Sequence, residues 1–461
     1  VTTPSVVAGA RLRSSRGFEA ALAALVAIAL CSPFPGYDIL VIVCGFLLFL
    51  AAATVRSDGV VAKRLLAGLA WWVPFLVLCS ISVLWSGLPE ATVRGTMALI
   101  AVLAAGYRVA CIVQSGDLVR ALALGLRMPL LFSVISAAVV PGRVLVASEY
   151  QTGALQGIFA HRNFLAFAAG MLIVIAIARW RRHVARPTVL FDIALGSLCL
   201  AWAQSQTAIL STAISIVAVL MVMWGRRLDA VARTVLYVGL AIVSISVAFV
   251  AVANVSSVTQ GLGRDTTLTG RTDVWQAVLE EIPRHLWLGA GWSAVWREGL
   301  PVSARMWLDA GFKMYHAHNG YLDLVLQVGV IGSVAFVVAF FRLPFEALAG
   351  AGRGGREEVV AAALGGTILL IISNLSESGF VAPSGWASLV VLQLALRRAG
   401  VETCSMEKNC ESTVEGAPDH RRARGGGSRE GRRRAGERHA AGRNADRSRG
   451  RRRGCAMEPP G

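Results

Sequence analysis

The stretch HNGYLDLVLQVGVIGSVAFVVAFF, residues 318–341, opens on a polar His318-Asn319 head and then runs apolar to Phe341, with Arg342 just beyond. A hydrocarbon core is crossed by roughly 20 apolar residues in a helix, so this stretch predicts a membrane span with a polar mouth at one end and a basic stop at the other.

Runs of the same kind recur at 18–34, 37–55, 65–85, 94–113, 121–140, 158–178, 188–203, 206–224, 233–254, 357–373 and 385–396. With 318–341 they predict an all-α polytopic integral membrane protein of about 12 transmembrane helices. Composition agrees, since 55% of the 461 residues are hydrophobic and only 16% are charged. That excludes an ordinary soluble domain.

The net charge of +17 would suggest nucleic acid in a soluble protein, but here it alternates from loop to loop. Arg11/Arg13/Arg16, Arg56/Lys63/Arg64, Arg108/Arg120, Arg179/Arg181/Arg182/Arg186, Arg226/Arg227/Arg233, Arg342/Arg353/Arg356 and Arg397/Arg398 fall in every second connection. The intervening short connections hold only Arg94 and Arg143, and the long one at 255–317 balances its six basic residues with six acidic ones. The positive-inside rule therefore predicts a multi-pass inner (cytoplasmic) membrane protein with both termini cytoplasmic and no nucleic-acid partner. Five segments follow: a cytoplasmic N-terminus 1–17, spans one to nine over 18–254, a long extracytoplasmic loop 255–317, spans ten to twelve over 318–398, and a disordered Arg/Gly-rich cytoplasmic tail 399–461. The tail holds Arg432-Arg433-Arg434 and Arg451-Arg452-Arg453 and too few large apolar residues to bury a core.

Arg11, Arg13 and Arg16 ahead of the apolar stretch to Leu30 have the shape of a signal peptide. No small-x-small cleavage site follows, and Ile28-Ala29-Leu30-Cys31 lacks the small residue of a lipoprotein site, so a retained first helix is expected. Of eight cysteines, Cys31, Cys44, Cys79, Cys111 and Cys199 lie in apolar runs and act as small hydrophobes. The long loop has none, so it carries no disulfide staple, and no CxxC spacing suggests a metal.

On this topology the unusual polar residues gather at the outer face. His161-Arg162-Asn163 opens span six, Gln204-Ser205-Gln206 forms the turn before span eight, and His316-Ala317-His318-Asn319 leads into span ten. Asn374 and Glu377 occupy the last outer turn. Ionisable groups at membrane depth default to functional candidates. In the long loop Thr272 is placed to cap a helix, with Asp273 at its positive end and an apolar stripe of Trp275, Val278/Leu279 and Ile282. Pro283 ends it, Gly289 and Gly291 turn the chain, and the tryptophans suit the outer leaflet or an aromatic belt.

Gly270-Arg271-x-x-x-Trp275 followed by His285-Leu286-Trp287-Leu288-Gly289-Ala290-Gly291-Trp292 resembles the periplasmic-loop signature of the O-antigen ligase and polymerase family. His318-Asn319, nine residues, then Gly329-Val330-Ile331-Gly332 is similar to that family's most telling motif, and Gly157-x-x-x-His161-Arg162-Asn163 fits as well. The resemblance covers about 150–345 and implies a GT-C-like glycosyltransferase architecture. It also implies transfer of a glycan from a polyprenyl-diphosphate-linked donor to a glycan or lipid acceptor hydroxyl outside the membrane, with membrane lipids as the surroundings and no cofactor. The chain departs from the family at Gln206, where an arginine is common, and at His285-Leu286, where His-Pro is common.

Under that resemblance His318 is the candidate catalytic residue, and Arg271, Arg162, Asn319 and His161 are candidates for diphosphate or substrate binding. Arginine keeps its charge and pairs with phosphate oxygens in two places, which suits a leaving diphosphate. His318 either takes the acceptor proton or hydrogen-bonds the diphosphate. Each residue also has a plainer reading: a histidine can cap its helix, Arg271 can anchor the loop to lipid phosphates, and Arg162 can snorkel. His316 and His318 show no evident third metal ligand in sequence, so a metal-independent reaction is expected. Gly329 and Gly332 read as close-packing positions, and Arg127 as a snorkelling residue. The rival class is a secondary transporter, which would carry its site near the midplane on interrupted helices in matched halves; the two halves here show no repeat. A catalytically inactive scaffold of the same fold is the third reading, favoured by Gln206.

Overall fold

The apolar runs fold as helices throughout. The computed structural model describes residues 4–31, 37–146, 153–180, 186–225, 271–352, 356–380 and 382–415, with a few isolated positions between 228 and 239. In chain order the long helices are α1 (Pro4–Leu30), α2 (Tyr37–Ala53), α3 (Gly59–Leu69), α4 (Val73–Ile81), α5 (Pro89–Ala110) and α6 (Ser115–Val139). A short α7 (Pro141–Val144) precedes α8 (Arg162–Ala178), α9 (Arg186–Trp202) and α10 (Gln206–Gly225). Then come α11 (Arg271–Glu281), α12 (Pro301–Ala310), α13 (Gly320–Gly352), α14 (Glu357–Ser373) and α15 (Pro383–Glu415). The span expected at 233–254, the first part of the long loop through Gly270, and the basic residues Arg181, Arg182, Arg226, Arg227, Arg233 and Arg353 lie outside the described residues.

A helix covers most of every other expected run. Among the described residues five helical stretches are long and apolar enough to cross a membrane: Gly59–Leu84, Pro89–Ala110, Ser115–Val139, Gln206–Gly225 and Gly320–Ala349. Asp38–Ala53, Arg162–Ala178 and Pro187–Trp202 are shorter apolar helices. The described residues are helical apart from turns and short connections, and the chain is a multi-pass membrane protein. Its β structure among the described residues is one isolated antiparallel bridge, Leu145 with Leu155.

The helices pack without a hydrophobic driving force against lipid, so contact quality decides. α8 is buried along nearly its whole length, and α14 brings Ala361, Ala362 and Ala363 fully inside. Towards the other side a cluster of edge-on rings joins Trp72, Phe75, Phe336 and Trp386, with Trp292 of the long loop 5.6 Å from Phe75. Two of its indole N–H groups are satisfied, Trp72 donating to Gln393 Oε1 at 2.6 Å and Trp386 to the Leu99 carbonyl at 3.0 Å, while the buried Trp292 Nε1 has no hydrogen-bond partner.

At one end of the bundle the basic residues are tied down. Arg108 donates to the Ala52 and Val55 carbonyls, Arg120 pairs with Glu19, and Arg397 with Glu346. Arg127 does not snorkel as the sequence suggests. It forms a two-pronged pair with the fully buried Asp192 of α9, at 2.5 and 2.9 Å, because a carboxylate there needs a charged partner. The first residues of the tail expected from 399 are helical. α15 runs to Glu415, and Ala399 and Val401 are buried while Glu402 accepts from Ser115 and pairs with Arg356 and Arg398.

Residues Val1–Lys408 form one unit and Asn409–Gly461 a second, of which only the helical stretch to Glu415 is described.

Candidate functional site

The opposite end of the bundle collects the polar residues. His161 is the N-cap of α8: extended backbone lets its Nδ1 accept from the Asn163 amide at 3.3 Å. Arg162 follows and turns inward, buried, donating to the Ala203 and Gln204 carbonyls at 2.7 and 2.8 Å. It clips α8 to the turn before α10 rather than snorkelling to lipid. Gln204 in that turn has a left-handed backbone (φ 53°), and Gln206, which stands where the family commonly has arginine, is exposed at the start of α10.

The long loop is a folded cap. Thr272 lies within α11 rather than ahead of it. Its buried face is Val274, Ala277, Val278 and Glu281, with Trp275 and Ile282 only half covered and Leu279 exposed. It packs on α12 and α13 instead of lying free on a leaflet. Glu281 fastens this cap. Burial tends to raise its carboxyl, but Arg305 and Arg284 outweigh that and lower it, each donating to it.

The motif glycines explain how the cap docks. α13 is broken at Gly329, whose φ of +67° and ψ of −174° leave the helix. The amides freed by the break donate to the cap: Val330 to the Leu286 carbonyl at 2.8 Å and Ile331 to that of Trp287 at 3.2 Å. In return Ala290 and Gly291 donate to the Leu326 and Gln327 carbonyls. This backbone-to-backbone seam has no room for side chains: a Cβ on Gly289 would stand 2.3 Å from the Gln327 carbonyl, and one on Gly329 2.3 Å from that of Trp287. Asp323, fully buried, accepts from Trp296 and Gln327 at 2.8 and 2.9 Å, and Gln327 accepts from the Ser293 amide.

With the cap seated, Glu377 becomes the hub. Its Oε1 accepts from Arg271 Nη2 at 2.8 Å and from Asn163 Nδ2. Its Oε2, buried and without a hydrogen bond, faces His318 Nδ1, likewise unbonded, at 3.8 Å. Burial acts to raise the Glu377 carboxyl, but the adjoining His318 and Arg271 prevail and hold it at about 2, so it is an anion. Burial pushes His316 down to about 3. The rings of His316 and His318 are 4.0 Å apart and those of His161 and His318 6.4 Å. His316 Nδ1 accepts from the His318 amide, which steadies the left-handed backbone of His318 (φ 49°).

Five sequence candidates thus reach one end of the bundle, with different duties. His318, Arg271 and His161 surround Glu377. Arg162 stands one residue from Asn163 but spends a guanidinium nitrogen on carbonyls. Asn319 is a helix cap, its Oδ1 accepting from the Tyr321 and Leu322 amides at 3.0 and 3.1 Å, and its Nδ2 donates to the Leu375 carbonyl at 3.5 Å, so a substrate contact is left to the second N–H of that nitrogen. The sequence marks Asp323 and Gln327 weakly, since a polar pair four residues apart in an apolar run is the one trace they leave.

His316, His318 and Glu377 each offer a ligand atom within 4.8 Å of the others, so Glu377 supplies the third metal ligand that the sequence lacks. Two imidazoles and a carboxylate suit a divalent ion by type. The same carboxylate, however, already neutralises Arg271, whose guanidinium at 2.8 Å disfavours a second cation.

The exopolysaccharide production protein ExoQ of Rhizobium meliloti (strain 1021) is 26% identical over 300 residues, which are 60% of this chain and 65% of that relative, so the match spans a little under two thirds of the relative's length. The O-antigen ligase family model, Wzy_C, matches residues 191–337, a segment that includes Arg271, the glycine seam and His318-Asn319. Over that segment the resemblance carried by the motifs holds, and residues 191–337 are similar to the O-antigen ligase family.

Proposed function

We propose that the protein is a membrane glycan ligase or polymerase of cell-surface polysaccharide biosynthesis, with about 12 spans in a GT-C-like architecture and both termini in the cytoplasm. It transfers a saccharide from a polyprenyl-diphosphate-linked donor to an acceptor hydroxyl on the extracytoplasmic face of the inner membrane. The observation that carries this reading is the convergence of Arg271, Asn163 and His318 on the single carboxylate of Glu377 at the end of the bundle away from the basic residues.

In the transfer the acceptor oxygen forms a bond to the anomeric carbon while that carbon's bond to phosphate breaks. The bonding electrons leave with the polyprenyl diphosphate. Arg271 binds Glu377 through one nitrogen, and its remaining donors meet the phosphate oxygens as charge builds there. His318 takes the acceptor proton, and Glu377 Oε2 beside its Nδ1 favours the imidazolium that forms. His161 and Arg162 hold the rim. The scheme uses no nucleotide and no metal.

The interrupted α13 weighs against a transporter. Transporters use such breaks to expose backbone groups to ions, whereas the amides freed at Gly329 are already paired with the cap. The test is glycan analysis of a deletion strain, with lipid-linked intermediates examined alongside. Loss of one surface glycan and accumulation of its polyprenyl-diphosphate precursor is expected; an unchanged glycan profile overturns the reading.

A further inference from the structure

Beside the Glu377 hub lies a cleft of about 310 Å³, between the 293–297 segment of the cap, the first turns of α13 and the turn leading into α15. His316 forms its boundary with the hub, so a molecule in the cleft sits next to the reacting groups. Its volume is at the lower end for small-ligand pockets, which run from about 300 to 1,000 Å³.

The lining has the chemistry of a sugar site. Trp296 is half exposed and held in one orientation by its Nε1 bond to Asp323, so it presents a fixed indole face. The negative face of an aromatic ring attracts the partly positive C–H bonds on the flat side of a pyranose. The floor carboxylate of Asp323 is spent on the Trp296, Gln327 and Ala317 N–H groups and offers a ligand little. Ser378 differs: it is 2% exposed, lines the cleft, and its hydroxyl has no hydrogen-bond partner. A buried hydroxyl left unpaired is costly, and a ligand hydroxyl in the cleft would satisfy it.

Arg297 gives the site a sign. Its exposed guanidinium lines the cleft, and its chain neighbour Glu298 is paired with Lys313 at 2.9 Å instead. We propose that this cleft is the acceptor subsite and takes an acidic saccharide, stacked on Trp296, hydrogen-bonded to Ser378, with its carboxylate or other anionic substituent paired by Arg297. The assignment rests on the glycan-transfer reading above.

The test is direct binding, without donor, to the full-length protein in lipid nanodiscs, read by saturation-transfer NMR. The probes are an oligosaccharide of β-1,4-linked glucuronate and its neutral, carboxyl-reduced counterpart. The acidic probe should bind more tightly than the neutral one. Arg297→Gln, at an exposed position, should weaken the acidic probe about three- to tenfold, leave the neutral one unchanged, and be rescued by Arg297→Lys. Trp296→Ala should weaken both, with Trp296→Phe retaining most of the binding. Equal binding of the two probes, equal loss of both in Arg297→Gln, or no binding of either overturns the proposal. Donor consumption measured on the same preparation separates the two readings: turnover without probe binding sinks the subsite alone, and absence of turnover sinks the transferase.

Discussion

Glu377 sets what its neighbours can do. Holding it as an anion keeps Arg271 oriented and lets His318 accept charge, so Arg271→Lys keeps the charge but gives up the planar fork. Transfer should fall by about tenfold or more, each factor of ten being about 1.4 kcal/mol of transition-state stabilisation. A residue that merely anchors the loop to lipid phosphates would tolerate lysine. His318→Ala should cost about 10²–10⁴-fold in kcat with little change in donor KM if it is the base; a parallel rise in donor KM would make it a diphosphate contact instead. The pH response follows from His316, whose pKa is lowered from 6.5 to about 3, and from Glu377, lowered from 4.5 to about 2. Both bind protons more readily in the unfolded chain, so the stability tied to them is present above 6.5 and is lost as pH falls towards about 3, with Glu377 adding its share below 4.5. Thermal unfolding midpoints in nanodiscs should therefore drop between about pH 7 and 5, and His316→Gln should flatten that slope; an unchanged slope would remove His316 from the explanation. His318, Arg271 and His161 were legible because they stand at predicted helix mouths. Glu377 was legible as a member of the outer-face cluster but not as its hub, since a pairing across 106 residues to Arg271 leaves no local trace.

At the scale of elements, the seam between the cap and the broken α13 decides whether the site exists. Gly329→Ala forces a side chain into a left-handed backbone and into the Trp287 carbonyl. The backbone strain alone is of order 1–3 kcal/mol. We expect a lowered unfolding midpoint, faster proteolysis within 286–300 and loss of transfer, while helical content by circular dichroism stays close to normal. Gly400→Ala is the contrast: it lies in α15 with open space at the Cβ position and should be neutral or stabilising by up to about 1 kcal/mol. If the two variants behave alike, the seam is not what holds the cap. The sequence shows the glycines and their spacing, but reads them as a turn and as helix packing, because a docking of two backbones has no side-chain signature. α12 leaves its marks at both ends: Pro301 stands at its first turn and Gly311, at φ +79°, ends it with two carbonyls capped. The apolar stripe of α11 is shifted by one position, since Glu281 is drawn inward by Arg284 and Arg305 and takes the helix face with it.

For the whole molecule, hydropathy makes the helices legible, and alternating basic loops predict the orientation. A reporter fused within α12 should be extracytoplasmic and one fused after Arg398 cytoplasmic; both on the same side would refute the orientation. Arg127 and Asp192 were harder to read, because a lone arginine in an apolar run looks like a snorkelling one until the carboxylate from another helix is found beside it. The basic end holds ion pairs and the far end a capped polar site, the division that the proposed transfer on one face of a membrane requires. The most direct measurement is made with purified protein in proteoliposomes supplied with a polyprenyl-diphosphate-linked glycan and an acceptor glycan, with no nucleotide sugar and with a chelator present. The account predicts one released polyprenyl diphosphate for each new glycosidic bond. Ion-coupled solute uptake with the donor left intact would contradict the assignment as a transferase, and transfer that appears only when a divalent metal is restored would contradict the metal-free step.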